Sequence, residues 1–550
     1  MGKTGITTNT LLVLVAAFLA VTGNAAFVSG VLKAYPPAEN NVWALFSLLI
    51  VFGGATVLVL SLLCVGRAAK PLLMLVLLLS AAAAYFMDRY GVIISDDMLR
   101  NVVQTQPAEA LELLNARLLI YFVLLGVLPA WAVYRIPLQW RGWRSESFAR
   151  LKLVSITFAL MIGTVLMLSG FYASFFREHK ELRQYANPLY YLYSTVKYAA
   201  GEAGTASNVA VAKVGTDAAI PASDLTRELV IMVVGETARA DRFSLNGYSR
   251  ETNPRLKEQG VISFSNFRAC GTSTAVSVPC MFLRDGETKG VSAIKTEENL
   301  LDVLMHSGVN VLWLDNNSDS KGVAARAPFI DYRSPKTNPV CDTECRDEGM
   351  LAGLQGYIDA HPKGDIFIVL HQMGNHGPAY HQRYPANFER FTPVCRSADL
   401  GKCSREEIGN AYDNAILYTD HFLSRAIDLL RKNDARFETA LFYVSDHGES
   451  LGEKGVYLHG MPKALAPEAQ LHVPAIMWFG RNFRAVSPQA LRDKAGAPFS
   501  HEQVFHTILG FFEVETRAYR PEGDILTGAR PMQKDFVADT QAGVRTIFSR

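Results

Sequence analysis

The stretch Cys270–Cys280 combines the residue types from which a rigid nucleophile can be built. Two cysteines bracket a run of hydroxyl side chains, which are Thr272, Ser273, Thr274 and Ser277. If the cysteines close a small ring, one hydroxyl can be held rigidly at the bottom of a site. A hydroxyl is a weak nucleophile until a base or a metal ion helps it to lose its proton. The spacing alone leaves all four hydroxyls as candidates, and the rest of the chain must supply the activating group.

The second half of the chain has the pattern of an α/β domain. Continuous apolar runs are typical of strands in a parallel sheet that is covered on both faces, and they occur at 228–235, 309–314, 366–370, 440–444 and 473–479. Helical stretches at 297–307 and 407–432 lie between some of these runs, and this alternation predicts an α/β domain. Carboxylates and imidazoles follow four of the runs, and the carboxyl ends of strands are where such sheets place their sites.

Three of the strand-end residues, Glu236, Asp446 and His447, form a mixed oxygen and nitrogen donor set that suits zinc. Zinc would lower the pKa of a bound hydroxyl and polarise a phosphoryl oxygen, which is the help that the Cys270–Cys280 stretch lacks. Each residue also has a plainer interpretation. Glu236 could be a helix-start carboxylate, and Asp446 with His447 could be a loop pair without a metal ion.

The histidines divide into two groups by their surroundings. His376 and His459 stand among glycines in loops near the expected site, and we expect both to be functional. We expect the others in the second half to be ordinary polar or packing residues, namely His371, His381, His421 and His472.

The cysteines indicate an oxidising compartment, and the charge gives no sign of nucleic-acid binding. The net charge is +2, and no basic block is interleaved with aromatic residues. Six of the seven cysteines come as close pairs, as in proteins of a bacterial periplasm. We predict three disulfides, Cys270–Cys280, Cys341–Cys345 and Cys395–Cys403. A cysteine metal site is the alternative, but no pair repeats the CxxC spacing of zinc ribbons.

The first third of the chain is predicted to be a membrane domain with five spans, at 11–32, 43–65, 71–87, 118–134 and 153–176. These apolar runs approach the roughly 20 residues that a bilayer core requires. A cleaved signal peptide is the alternative for the first run, but its length and the spans that follow favour an uncleaved helix. Lys and Arg cluster after the second and fourth spans, which places these loops and the N-terminus in the cytoplasm and everything after Phe176 outside.

These features divide the chain into a transmembrane domain at 1–176, an amphipathic connector with a flexible linker at 177–227, and a catalytic domain at 228–550. The connector is rich in tyrosines, which suit a membrane interface, and the linker is rich in Ala, Gly, Ser and Thr. In the polar segment between the third and fourth spans, Asn101, Thr105 and Glu109 are spaced four apart and would line one helical face. Spacing alone favours a solvated face.

Four motifs in combination resemble those of the bacterial phosphoethanolamine transferases that modify lipid A. The motifs are Val234–Arg239, Cys270–Cys280, Gly374–Pro378 and Ser445–Glu449. This family includes the mobile colistin-resistance enzymes and belongs to the alkaline phosphatase and sulfatase superfamily. The resemblance covers essentially the whole chain, and it implies five transmembrane helices, a connector and a periplasmic α/β domain of the alkaline phosphatase type.

The resemblance also implies a role for each candidate residue. The nucleophile of the family is the threonine four residues after the first ring cysteine, which here is Thr274. The zinc ligands carried over are Glu236, Thr274, Asp446 and His447. His376 and His459 match histidines that bind the phosphoryl group or assist proton transfer, sometimes through a further zinc ion.

Five further residues match substrate-binding positions of the family. Ser318 and Lys321 match residues near the substrate phosphate, and Asn101, Thr105 and Glu109 match a proposed lipid-binding face. One departure is the tight Cys341–Cys345 loop, where a longer loop is expected in relatives. This departure concerns the disulfide and leaves the chemistry unchanged.

The implied reaction consists of two displacements at phosphorus. Thr274 attacks phosphatidylethanolamine, diacylglycerol leaves, and phosphoethanolamine is held on the threonine until a lipid A phosphate takes it. The resemblance implies one zinc ion and allows a second one beside it. It also implies a monomer in the Gram-negative inner membrane. Masking the charge of lipid A phosphates should weaken the binding of cationic peptides such as polymyxins.

Three other interpretations stay open. The acceptor could instead be a sugar of the lipopolysaccharide core, a periplasmic glucan or a protein. A glycerol-phosphate polymerase is a second alternative, although its relatives favour manganese and a different ring context. A catalytically dead lipid-binding or sensor protein is a third, but a binding module does not need the hydroxyl, carboxylates and imidazoles together.

Overall fold

A computed structural model describes residues 5–37, 41–140, 142–205 and 210–530 of the chain. Its membrane part is almost entirely helical, and a short parallel pair of strands, β1 (Ile6–Thr7) and β2 (Leu138–Gln139), joins the segment before the first helix to the segment before Trp143. The helices are α1 (Thr8–Thr22), α2 (Ala25–Ala34), α3 (Val42–Leu63), α4 (Ala69–Tyr90), α5 (Asp96–Gln104), α6 (Pro107–Glu112), α7 (Ala116–Tyr121), α8 (Leu128–Arg135), α9 (Trp143–Met167), α10 (Ser169–Glu178) and α11 (Leu189–Thr205).

Four helical stretches in the described residues are long and apolar enough to cross a membrane, and they are Val42–Leu63, Gly66–Tyr90, Ala116–Arg135 and Trp143–Met167. The predicted first span is not one straight helix, because α1 and α2 meet at an angle of 58°. The side-chain amide of Asn24 donates to Leu19 O and Asn187 O at this break. Such a side chain satisfies backbone groups that a broken helix leaves free. The bent pair makes a fifth span if it crosses as one unit.

Two other expectations for this half need correction. The predicted fifth span at 153–176 is divided between α9 and α10, with the break at Leu168. Residues 210–220, expected within a flexible linker, pack on the second half of the chain: Ala212 and Ala219 form bridges to Glu297 and Glu515. Val214 and Ala218 are buried in its core, so these side chains hold the segment in place.

The second half of the chain is built on an eight-stranded sheet with the order β12-β4-β11-β8-β3-β7-β5-β6. The strands are β3 (Glu228–Gly235), β4 (Ile262–Arg268), β5 (Asn310–Asp315), β6 (Phe329–Asp331), β7 (Ile366–His371), β8 (Glu438–Ser445), β11 (His472–Phe479) and β12 (Phe499–Ser500), and a separate hairpin contains β9 (Ser450–Leu451) and β10 (Tyr457–Leu458). The five strands from β8 to β6 are parallel. Four of them, β3, β5, β7 and β8, are predicted from their apolar runs, and β6 is an additional strand. The strand β11 runs antiparallel to both of its neighbours, whereas its apolar run predicts a parallel strand. The sequence does not reveal the direction, because an apolar run buried on both faces has the same composition in either direction.

Helices cover both faces of this sheet, which explains the continuous apolar runs. Along β3, Val230, Met232 and Val234 enter one core, while Leu229, Ile231 and Val233 enter the other. The covering helices are α12 (Pro254–Gln259), α13 (Thr274–Phe282), α14 (Gly286–Lys289), α15 (Leu300–His306), α16 (Leu354–Ala360), α17 (Arg405–Asn433), α18 (Glu468–Leu471), α19 (Pro488–Asp493) and α20 (Glu502–Phe511). The predicted fold class, a helical membrane part followed by an α/β domain, is confirmed.

Candidate active site

The registry of two neighbouring strands brings the predicted metal ligands together. Gly235 at the end of β3 pairs with Ser445 at the end of β8, and Asp446 N donates to Gly235 O over 2.9 Å. Glu236 and the pair Asp446–His447 therefore emerge side by side, and all three side chains are fully buried. Their donor atoms lie within 4.8 Å of one another.

One hydroxyl of the Cys270–Cys280 stretch reaches this cluster. Thr274 begins α13, and its Oγ1 donates to Glu236 Oε2 over 3.2 Å and lies 3.5 Å from His447 Nε2. Two neighbouring hydroxyls are engaged elsewhere: Thr272 donates to Met461 O over 2.6 Å, and Ser277 Oγ accepts from Gly271 N over 3.2 Å. The position of Thr274 at a helix start also suits an anionic group, because the first N–H groups of a helix point toward it.

The donor set fits a divalent cation. His447 Nδ1 donates to Gly448 O over 2.9 Å, so Nε2 carries a lone pair rather than a proton. This lone pair lies 3.4 Å from Glu236 Oε1 and 3.4 Å from Asp446 Oδ2, although all three atoms are acceptors. Asp446 Oδ2 is buried and accepts no hydrogen bond from the described residues. A cation between these atoms removes the mismatch, and the mixture of two oxygens and one nitrogen suits zinc.

Burial reinforces the need for a cation at this position. Burial raises the pKa of Asp446 and lowers the pKa of His447 well below its usual value. Both pKa shifts arise because burial penalises the charged form of each side chain. The imidazole is therefore neutral and able to act as a ligand, whereas buried carboxylates need a positive partner.

A second group of donor atoms lies beside the first. His447, Glu449 and His459 also have donor atoms within 4.8 Å of one another. Glu449 accepts from His459 Nδ1 over 2.8 Å and from the hydroxyl of Tyr380 over 2.6 Å. Glu449 therefore orients His459, and the other ring nitrogen, Nε2, remains for a ligand.

The loop that carries His376 packs closely against the backbone of Glu236. Asn375 N donates to Glu236 O over 3.1 Å. At Gly374 the backbone φ is +51°, and an added Cβ would lie 3.0 Å from Glu236 O. A glycine is therefore needed where the loop passes. The ring of His376 comes to 5.5 Å from the ring of His459, measured between centroids, and the ring of His459 to 4.4 Å from that of His447.

Two of the predicted lipid-binding residues face the site. Asn101 and Thr105 line a cavity of about 120 Å³ together with His376 and His459. Its remaining walls are mostly apolar and come from both halves of the chain, namely Phe86, Val92, Ile94, Met98, Val102, Leu113, Gly377, Pro378 and Leu458. The side chain of Glu109 lies outside the described part of the structure.

The two predicted phosphate-binding residues differ in their placement. Ser318 lines a second cavity that shares His376 with the first. Lys321 Nζ donates to Ser318 O over 2.7 Å and to Gln104 O over 3.4 Å. The ammonium group of Lys321 therefore bridges the loop of Ser318 to the end of α5.

Sequence reasoning assigned no role to two residues that position the site. Asn317 donates through Nδ2 to Glu236 Oε2 over 2.7 Å and to Gln372 O over 2.8 Å. His501 accepts from Cys270 N over 3.1 Å and donates to Ser445 O over 2.9 Å. Burial lowers the pKa of His501 to about 4, so its ring is neutral and can make both bonds. The polar run after β5 contains Asn317, but no local signal distinguishes His501.

The other predictions about side chains have plain outcomes. The structure contains all three predicted disulfides, and Cys64 is a buried free cysteine. His371, expected to be an ordinary polar or packing residue, is buried and pairs through Nδ1 with Asp315 Oδ2 over 2.8 Å.

Comparisons with known proteins match both halves of the chain. The family described as phosphoethanolamine transferase EptA/EptB matches residues 52–203, and the sulfatase family matches residues 228–514. Phosphatidylethanolamine transferase Mcr-1 of Escherichia coli is 43% identical over 514 residues, which cover 91% of this chain and 94% of that protein. Phosphoethanolamine transferase EptA of Escherichia coli K12 is 37% identical over 533 residues, which cover 94% of this chain and 96% of that protein.

A solved structure of full length shares the same arrangement of both halves. It is the integral membrane protein lipooligosaccharide phosphoethanolamine transferase A (EptA) from Neisseria meningitidis, with a TM-score of 0.90 and 34% identity. The match covers 96% of this chain and 99% of that chain.

Proposed function

The chain belongs to the family of phosphoethanolamine transferases of the EptA and Mcr type, and from this premise we propose that it transfers phosphoethanolamine from phosphatidylethanolamine to a phosphate of lipid A. The donor is cleaved between phosphorus and the diacylglycerol oxygen. The observation that carries the proposal is the hydrogen bond of 3.2 Å from the hydroxyl of Thr274 to Glu236, inside the buried cluster.

Zinc is the proposed metal, held by Glu236, Asp446 and His447 with Thr274 beside them. When bound, the ion supplies the positive charge that lowers the pKa of the threonine hydroxyl and stabilises the charge of the phosphoryl oxygens. Asn317 and the N–H of Thr237 hold the two carboxylates by hydrogen bonds of 2.7 and 3.1 Å. One ion is proposed, and Glu449 with His459 is the proposed place for a second, because His447 gives Nε2 to the first ion and Nδ1 to Gly448 O.

In the first displacement, Thr274 Oγ1 loses its proton toward Glu236 and forms a bond to the phosphorus of phosphatidylethanolamine. The bond from phosphorus to the diacylglycerol oxygen breaks, and this oxygen takes up a proton. His376 is the proposed proton donor because it lines both cavities next to the cluster. His459, held through Nδ1 by Glu449, is proposed to bind the phosphoryl oxygens through Nε2.

In the second displacement, a phosphate oxygen of lipid A attacks the same phosphorus, and the bond to Thr274 Oγ1 breaks. Thr274 Oγ1 takes back the proton from Glu236, and His376 regains a proton from the acceptor phosphate or from water. The products are lipid A that carries phosphoethanolamine and the regenerated threonine. The apolar wall of the cavity that contains Asn101 and Thr105 suits the glycerol and acyl side of a membrane lipid. Ser318 and Lys321 are proposed to lie near the phosphate of the substrate.

The proposed location is the inner membrane of a Gram-negative bacterium, with the N-terminus in the cytoplasm and the catalytic domain in the periplasm. The cluster of Lys and Arg between the fourth and fifth predicted spans and the three disulfides support this orientation. The proposed domains are the transmembrane part at 1–176, the connector at 177–227 and the catalytic part at 228–550, in a monomer.

Mass spectrometry of lipid A tests the proposal in cells that express the chain or its Thr274→Ala variant. Phosphoethanolamine on lipid A with the intact chain, and none with the variant at equal abundance, is the expected result. Such cells should also resist polymyxin, because the modification masks phosphate charge. Unmodified lipid A in both strains, with folded and zinc-loaded protein, would redirect the proposal to a core sugar, a glucan or a protein as acceptor.

A further inference from the structure

The polar segment between the third and fourth predicted spans lies directly on the catalytic site. Gln106 Nε2 donates to Asn317 O over 2.9 Å, and Gln104 O accepts from Lys321 Nζ over 3.4 Å. The same segment provides Asn101 and Thr105 to the cavity whose opposite wall contains His376 and His459. The cavity therefore exists only while the membrane part and the catalytic part are docked against each other.

A buried arginine of the catalytic part lies at the end of this contact. Arg383 is 4% exposed, and its guanidinium donates in three directions. Nε donates to His376 O over 2.6 Å, Nη2 donates to Glu112 Oε2 over 2.5 Å, and Nη1 donates to Glu344 Oε2. One guanidinium thus joins the backbone of a proposed catalytic residue to a carboxylate at the end of α6, in the membrane part.

The two carboxylates on Arg383 make a matched pair that differs in origin. Glu344 belongs to the catalytic part and lies inside the tight Cys341–Cys345 disulfide loop, where Arg346 Nη1 also donates to it over 3.3 Å. Glu112 comes from the membrane part, and both side chains are about equally covered, with 20% and 19% exposed. Both carboxylates neutralise Arg383, but Glu344 also accepts from Arg346, whereas Glu112 links Arg383 to the membrane part.

We propose that Glu112 and Arg383 form a docking contact that holds the catalytic site over the lipid-facing cavity. Both are positioning residues for the reaction with membrane lipid. The inference rests on the proposed function, because it specifies how the site reaches a donor embedded in a bilayer. Guanidinium pairs with carboxylates suit such a contact, since the planar fork fixes direction as well as distance.

The docking contact predicts a selective effect on membrane-bound donors. Phosphatidylethanolamine must reach the site through the cavity formed by both parts. Glycerophosphoethanolamine has the same headgroup without acyl chains and can reach the site from solution. Loss of either carboxylate can disturb His376 through Arg383, and this effect is the same for both donors. Loss of Glu112 should in addition weaken docking, so it should lower transfer from the first donor more than from the second, whereas loss of Glu344 should affect both donors equally.

The test compares Glu112→Gln with Glu344→Gln in full-length, zinc-loaded protein in lipid nanodiscs. For transfer from phosphatidylethanolamine, Glu112→Gln should lower kcat/KM by about tenfold or more, because a partner of a buried charge pair is lost. Its kcat/KM for glycerophosphoethanolamine should fall by no more than Glu344→Gln lowers that value, since this donor does not depend on docking and the remaining effect runs through Arg383 in both variants. Glu344→Gln should lower both values by the same factor.

Hydrogen exchange of the same proteins gives a readout that does not depend on activity. Glu112→Gln should accelerate exchange by about tenfold in both 107–115 and 380–384, because the segments protect each other. Glu344→Gln should accelerate exchange in 380–384 and leave 107–115 unchanged.

Equal losses with both donors in Glu112→Gln, or no loss with either, would overturn the docking contact. Unchanged exchange in 107–115 of that variant would also overturn it. An unmodified chain that transfers from neither donor would contradict the proposed function, and the exchange data would still decide on the contact.

Discussion

The strand β3 carries a buried glutamate at each end, and the two ends differ in their surroundings. Glu236 follows its carboxyl end and is fully buried, while Glu228 begins its amino end and is 3% exposed. Glu236 faces the hydroxyl of Thr274, the amide of Asn317 and the lone pair of His447. Glu228 lies among other carboxylates, and burial together with the charge of Asp365 raises its pKa to about 9.

Burial of a carboxylate does not by itself indicate a site. At both ends of β3, buried carboxylate oxygens lie close to other hydrogen-bond acceptors. Each end therefore needs a proton or a metal ion to offset the repulsion between them. At the amino end a proton on Glu228 suffices, because its neighbours are the carboxylates of Asp365, Asp224 and Glu438 and the hydroxyl of Thr226, which donates to Glu228 Oε1 over 3.3 Å. At the carboxyl end a neutral imidazole and a hydroxyl complete a donor set that suits a metal ion and a nucleophile.

Substitution of Glu236 and of Glu228 should give the largest difference in transfer activity between the two ends of β3. Glu236→Gln should lower transfer activity by about 100-fold or more, because a bound metal ion supplies several kcal/mol of transition-state stabilisation. Glu228→Gln should keep activity within about twofold, since glutamine replaces a protonated carboxyl at a distant point. Steady-state transfer and zinc content of both purified variants check this. Comparable activity losses in both would mean that the two ends do not differ as described.

Substitution of one asparagine at each end of the sheet should give a smaller difference in activity. Asn317 holds Glu236 at the carboxyl end, while Asn310 begins β5 at the amino end and donates to the carbonyls of Lys363 and Asp365 over 3.0 and 2.9 Å. Asn317→Ala should lower zinc affinity or activity by about 10- to 100-fold, as for residues that orient metal ligands. Asn310→Ala should lower stability only. Zinc titrations and transfer rates distinguish these outcomes, and equal zinc affinities would refute the role of Asn317.

The pH dependence of stability should report on the amino end. Because the folded-state pKa of Glu228 is raised to about 9, its contribution to stability is complete below the ordinary glutamate value of 4.5. This contribution is lost progressively as the pH rises toward 9, because the carboxyl ionises in the unfolded chain while it stays protonated in the folded chain. Thermal unfolding of the full chain in detergent should show a loss of a few kcal/mol between about pH 6 and pH 9. Glu228→Gln should make this loss smaller, and an unchanged pH profile would contradict the assignment.

The sequence predicts those features that local patterns determine. The bounds of β3 agree with its apolar run, and the polar residues after β3 and β8 meet because parallel strands end at one edge. The direction of β11 could not be predicted, because direction depends on its neighbours. The same holds for the roles of Asn317 and His501: the latter lies 231 residues from its partner Cys270, and only the folded chain brings them together.

The bend between α1 and α2 was also beyond prediction, for a related reason. Asn24 stands in an apolar run that is long enough for one helix, and its partner Asn187 lies 163 residues further along the chain. A polar residue in such a run signals that something must satisfy it. The partner itself is known only from the packing of the helices.

Locating the covalent intermediate would show whether Thr274 is the nucleophile. Zinc-loaded protein would be incubated with phosphatidylethanolamine vesicles without lipid A, and its peptides analysed by mass spectrometry. We predict phosphoethanolamine on Thr274, its release on addition of lipid A, and a weaker but detectable signal in Thr274→Ser. Phosphoethanolamine on another residue, or lipid A modification that proceeds with Thr274→Ala, would contradict the account.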